Sequence, residues 1–108
     1  MSRENQVLYR LQAIEQLLHD AGLWQSSAPP SEAFNSQEPF CVDTMAPLQW
    51  LQWIFLPRMH ALLDAGSALP VKLAIAPYYE VALPEDMPER TELLRTLSLF
   101  DQLFEHDT

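Results

Sequence analysis

Leu48-Gln49-Trp50-Leu51-Gln52-Trp53-Ile54-Phe55-Leu56-Pro57-Arg58-Met59 is the stretch that decides the fold. Leu48, Leu51, Phe55, Met59 and Leu62 recur at spacings of three, four, four and three, which is one stripe of an α-helix. Trp50, Trp53, Ile54 and Leu56 fill the other faces, and a helix apolar on nearly all sides is central or contacts a partner. The spacing predicts a helical segment over 44–65. Asp43 or Thr44 is placed to cap it, Pro47 is tolerated in its first turn, and Gly66 ends it. Pro57 has no N–H to offer the carbonyl of Trp53 and crowds it, so a kink or break is expected near Leu56.

Two further helices flank this one. Val7, Leu11, Ile14 and Leu18 form a stripe over 3–21, with Ser2 as cap and Gly22 where a left-handed residue would stop the helix. Leu93, Leu97, Phe100 and Phe104 form a stripe over 87–105. Asp86 and Glu89 there have the spacing of a capping box, with Pro88 in the first turn. A short helix is expected from Pro77 to Leu83, with one of Tyr78 and Tyr79 buried and the other exposed. Residues 23–43 hold no period and contain the breaker run Ser26-Ser27-Ala28-Pro29-Pro30-Ser31. Leu23, Trp24, Phe34 and Phe40 in this connection are expected to pin it to the core.

The reading is an all-α bundle of four to five helices with a long N-terminal loop connection, in one domain over 1–108. Two glycines against nine prolines exclude glycine-rich dinucleotide and phosphate loops. One cysteine excludes an intramolecular disulfide framework and a cysteine-based zinc site. No secretory leader and no apolar run of about 20 residues is visible, so a soluble, cytoplasmic protein away from membranes is expected.

Net charge is −9, and residues 80–108 hold eight acids against two arginines. Phosphate contacts need clustered Lys and Arg, so tight direct nucleic-acid binding is not expected. His19, His60 and His106 show no metal-ligand spacing, and Cys41 has no local motif linking it to His60 and Asp43 as a nucleophile. The acids at 85–92 suit a helix N-terminus. No catalytic constellation, cofactor or metal is expected.

Candidate contact residues are Trp50, Trp53, Arg58 and Met59, which read either as core or as an anchor surface, since Trp and Arg are enriched at interface hot spots. Tyr78 and Glu80 join them as a second aromatic-polar pair.

Phe34-Asn35-Ser36, Pro39-Phe40, Asp43-Thr44-Met45, Pro47-Leu48, Trp50-Leu51-Gln52-Trp53, Pro57-Arg58-Met59-His60, Leu62-Leu63-Asp64, Leu69-Pro70 and Ala76-Pro77-Tyr78-Tyr79-Glu80 together resemble the YqcC-like family of small bacterial proteins. The similarity covers the whole chain. It implies an all-helical bundle and, because members are typically encoded beside a tRNA pseudouridine synthase, an accessory role in that modification. Two functions follow. One is a non-catalytic partner protein for such a synthase or another basic RNA-handling protein. The other is a small enzyme or ligand binder with an aromatic pocket near Trp50, Trp53 and Arg58. Self-association stays open as a third.

Overall fold

The computed structural model describes residues 2–70 and 72–104. Helix α1 spans Arg3–Asp20, and the Ser2 hydroxyl accepts the backbone N–H of Asn5 at 3.1 Å. Its far end closes with Gly22 at φ 72° and with Leu23 N–H donating to Leu18 O at 2.8 Å. That is the left-handed stop expected of glycine, which has no Cβ to clash there. Two 3₁₀ turns, Ser31–Asn35 and Pro39–Cys41, organise the long connection.

The decisive stretch forms one continuous helical rod of three parts: α2 over Pro47–Trp50, a π-turn over Leu51–Phe55, and α3 over Leu56–Ala65. The expected disruption before Pro57 takes the form of this π-turn, with Leu56 N–H reaching back to Leu51 O. The wider turn keeps the rod continuous while Pro57 withholds its N–H, and such turns recur at functional sites. Gly66, at φ 65°, ends α3 as Gly22 ends α1.

The cap of this rod differs from expectation. Ala46 is the capping residue, and its N–H donates to Gln49 Oε1 at 2.8 Å. Asp43 and Thr44 are occupied elsewhere. Thr44 Oγ1 donates to Ala33 O at 2.7 Å, and Asp43 accepts from the Ser36 hydroxyl. Both therefore fasten the connection to itself.

Helix α4 spans Ala76–Ala82 and α5 spans Arg90–Gln102. The start of α5 lies three residues beyond the expected one, and the Asp86–Glu89 capping box does not form. Glu89 is the capping residue and makes no side-chain cap bond. Residues 84–90 turn instead through Met87 N–H to Pro84 O and Arg90 N–H to Met87 O. The cause lies at Arg90. Its Nη2 donates to Glu80 O at 2.6 Å and its Nε to Leu83 O, closing the end of α4 and setting where α5 begins. Glu105, the expected end of the last helix, and His106 lie outside the described residues.

Helix α1 packs on α5 and α3, and α4 packs on α5. Val7, Leu11, Ile14 and Leu18 meet Leu93, Leu97, Phe100 and Phe104 in the core, with Leu51, Phe55, Leu56 and Met59 from the rod. Each such side chain contributes about 1.5–3 kcal/mol by leaving water. No strand occurs among the described residues, and no helix is long and apolar enough to cross a membrane. Leu23, Trp24 and Phe40 pack against the core as expected of the connection, whereas Phe34 is 39% exposed and does not.

Candidate functional site

Two clefts are lined in part by residues of the π-turn. The first, of about 350 Å³, has a floor of Phe40, Trp50, Phe55 and Met59, with Arg58 and Lys72 among its lining residues. Phe40 is held on both sides. It stacks on Tyr78 at 4.0 Å between ring centroids and meets Trp50 edge-on at 4.8 Å. Trp50 continues the series onto Phe55 at 5.6 Å, and Phe55 meets Phe100 at 5.6 Å in the core.

The backbone beneath this aromatic row is unusual. Phe40 has φ 59° and Cys41 φ 48°, two consecutive non-glycine residues in the left-handed region. Each costs about 1–2 kcal/mol in that conformation. Packing compensates: Cys41 is buried with Ala33 and Met45, and the Phe40 ring lies between Tyr78 and Trp50.

The second cleft, of about 330 Å³, is lined by Trp24, Trp53, Gln25, Gln52, Glu15 and His60, among others. His60 Nε2 lies 2.7 Å from Glu15 Oε2, a hydrogen-bond contact between α3 and α1 that joins residues 45 apart in sequence. Gln52 is 4% exposed and clasps the backbone of Gln25 twice. Its Oε1 accepts Gln25 N–H at 2.8 Å and its Nε2 donates to Gln25 O at 2.7 Å. Trp53 Nε1 donates to the Gln25 side chain at 3.3 Å, and Trp24 stacks on His19 at 4.4 Å.

The candidate residues are thus divided. Trp50, Arg58 and Met59 share the first cleft, whereas Trp53 lines the second. The π-turn winds more widely than an α-helix and carries Trp53 away from Trp50. Tyr78, expected to be exposed if Tyr79 is buried, is instead half-buried because its ring stacks on Phe40 and packs against the core, and Glu80 is exposed on α4 with its carbonyl held by Arg90. Tyr79 is fully buried and donates its hydroxyl to Pro47 O at 2.7 Å. Burial, with a smaller contribution from the neighbouring Tyr78, pushes its pKa far above the ordinary value of 10.0. Burial also raises that of Tyr78.

Sequence reasoning missed Asp101, Gln52 and Lys72. Asp101 lies four residues after Leu97 on the apolar stripe, and Gln52 lies between Leu48 and Leu56 at the same spacing. A polar residue on a buried stripe is the signal that marks both. Lys72 carried no such signal.

Chemically, the first cleft offers an aromatic floor and two cations. Cys41, His60 and Asp43 are not brought together: His60 meets Glu15, and Asp43 holds Ser36. Among the described residues no group of three His, Cys, Asp or Glu side chains could hold a metal ion.

This is an acidic helical protein with an aromatic cleft lined also by two cations. The DUF446 family profile, described as tRNA pseudouridine synthase C, matches residues 6–103. The YqcC protein of Escherichia coli strain K12 is 47% identical over 107 residues, covering 99% of this chain and 98% of its own. Its solution NMR structure superposes with a TM-score of 0.87 at 46% identity, over 100% of this chain and 92% of that one. A tRNA pseudouridine synthase C of Pectobacterium carotovorum is 61% identical over 70 residues, which is 65% of this chain but 19% of that protein. The chain belongs to the YqcC (DUF446) family.

Proposed function

We propose that the chain is a non-catalytic accessory protein that docks on a tRNA pseudouridine synthase. The observation that carries this is the Pectobacterium protein of that name, in which a segment 61% identical to this chain occupies about a fifth of a longer polypeptide. Two modules joined in one chain meet at high effective concentration, which favours a contact between them. The charge of this chain supports a protein contact. At −9 it repels phosphate and complements a basic RNA-handling enzyme. The first cleft, with Trp50 and Arg58, is the contact surface in this reading; Met59, a candidate from the sequence, is 2% exposed and belongs to the core beneath it.

The experiment is direct mixing of the purified chain with the purified synthase of the same cell. Co-elution on size exclusion and a micromolar or tighter Kd by calorimetry are expected, weakening with added salt. Separate elution with no heat of binding would overturn the reading. So would submicromolar retention of tRNA by the isolated chain in a gel shift, because RNA and not the enzyme would then be its partner.

A further inference from the structure

We propose that the cleft between Phe40, Trp50, Arg58 and Lys72 receives a peptide segment of the partner that carries an acidic side chain beside a large aromatic one. The inference rests on the docking reading above and specifies its chemistry. The chain has six Lys and Arg residues. Four are engaged within the fold. Arg3 lies over the Phe104 ring at 5.0 Å, and Arg10 over Tyr9 at 5.6 Å. Arg90 binds the Glu80 and Leu83 carbonyls, and Arg95 pairs with Glu92 at 3.6 Å. Arg58 and Lys72 have no hydrogen bond, ion pair or ring contact among the described residues, and both line this one cleft.

Two unengaged cations lining one cleft of a net acidic chain give that cleft a positive character. A carboxylate suits it, because the arginine fork binds both carboxylate oxygens and the lysine adds a point charge. A polyanion does not suit it, because the chain as a whole carries a net charge of −9 and repels extended negative charge. The floor sets the second requirement. Half-buried Phe40 and Trp50 offer ring surface that favours an aromatic guest, and Phe55 and Met59, buried beneath them, back this floor. At about 350 Å³ the cleft is at the small end of ligand cavities, sized for one large side chain and its neighbour. The left-handed Phe40 and Cys41 pair holds one wall in place at a conformational cost, as at sites where a clamp is built in advance. Such a positive cleft on a net acidic chain fixes register between partners.

The probe is the capped tetrapeptide acetyl-Gly-Asp-Trp-Gly-amide, titrated into the ¹⁵N-labelled full chain and followed by NMR. The control is the same peptide with Lys in place of Asp. The Trp50 indole N–H and Arg58 Nε–H signals are expected to shift, while those of Trp24 and Trp53 stay. The Lys peptide is expected to bind at least tenfold more weakly. The double variant R58Q/K72Q, both sites being exposed, should keep the backbone spectrum away from the cleft and lose at least fivefold in peptide affinity. Equal binding of the two peptides, or shifts confined to Trp53, would overturn the proposal. The same variant is then mixed with the synthase. Loss of both peptide and synthase supports the proposal, and loss of the peptide with synthase binding intact overturns it while docking stands. If the wild-type chain binds the Asp peptide selectively but not the synthase, the cleft chemistry holds and the docking reading fails.

Discussion

The carboxylate of Asp101 on α5 accepts the backbone N–H of Ala76, the first residue of α4, at 2.8 Å. Its other oxygen accepts the N–H of Ile75 at 3.1 Å, so one buried acid from a distant helix caps α4, which has no cap of its own. The arrangement satisfies two of the donors every helix start leaves open and favours negative charge at the positive end of the dipole.

Asp101→Asn tests that cap. The amide keeps the shape but has one accepting oxygen, and its NH₂ group would face a backbone donor. Hydrogen bonds to a charged acceptor contribute about 1.5–3 kcal/mol, and a buried donor left unmet adds to the cost. A loss of about 2–3 kcal/mol in urea unfolding is expected. A loss below the error of the extrapolation would mean that α4 is held by packing alone.

How much of this was legible in the sequence depends on the range of the interaction. The stripes Val7–Leu18 and Leu93–Phe104 were legible because burial imposes the helical period on residues close in sequence. Gly22 and Gly66 were legible as stops because their left-handed φ is a local need. Pro57 announced a disruption, but not its form. A kink and a π-turn both relieve the proline, and the structure has the one in which Gln52 reaches Gln25. The Asp86–Glu89 box failed because Arg90 is drawn to the carbonyls of α4, a contact with no local signature. For the same reason Arg58 with Lys72, and Glu15 with His60, emerge only once the helices are packed.

Gln52→Ala removes the clasp on the long connection. Gln25 N–H and C=O lose their partners, at a cost of about 1–2 kcal/mol for half-buried groups that water partly reaches. The larger effect is local. The segment from Ser26 to Pro30 is exposed apart from Pro29 and is released from the rod, so limited proteolysis there should quicken by more than global stability falls. Cleavage that only follows the drop in global stability would show that Trp24 and Phe40 suffice to hold the connection.

Glu15 and His60 tie α1 to α3 across a cleft that is a quarter to a third exposed at these side chains. Solvent screening limits the contact, so His60→Ala and Glu15→Gln are each expected to cost about 1 kcal/mol. The informative quantity is their coupling. A double-mutant cycle should return an interaction of about 0.5–1 kcal/mol, and additive effects would mean that the 2.7 Å contact contributes nothing net.

Tyr79 is expected to make the fold sensitive to alkali. Its hydroxyl is buried and donates to Pro47 O, and ionisation would both bury a charge and forfeit that bond. Its pKa in the folded state is raised above the ordinary 10.0 by burial, and secondarily by Tyr78. The unfolded chain therefore releases this proton first, and above about pH 10 it binds fewer protons than the folded one. Stability is fully present below that pH and falls above it, by about 1.4 kcal/mol per pH unit from this group. Raising the pH beyond 10 should thus produce cooperative unfolding in which the last tyrosinate absorbance rises together with the loss of helical circular dichroism. Tyr79→Phe should lose about 1 kcal/mol at neutral pH with the bond to Pro47, yet show a shallower decline above pH 10. A variant whose stability falls as steeply as the wild type there would place the alkaline sensitivity in other groups.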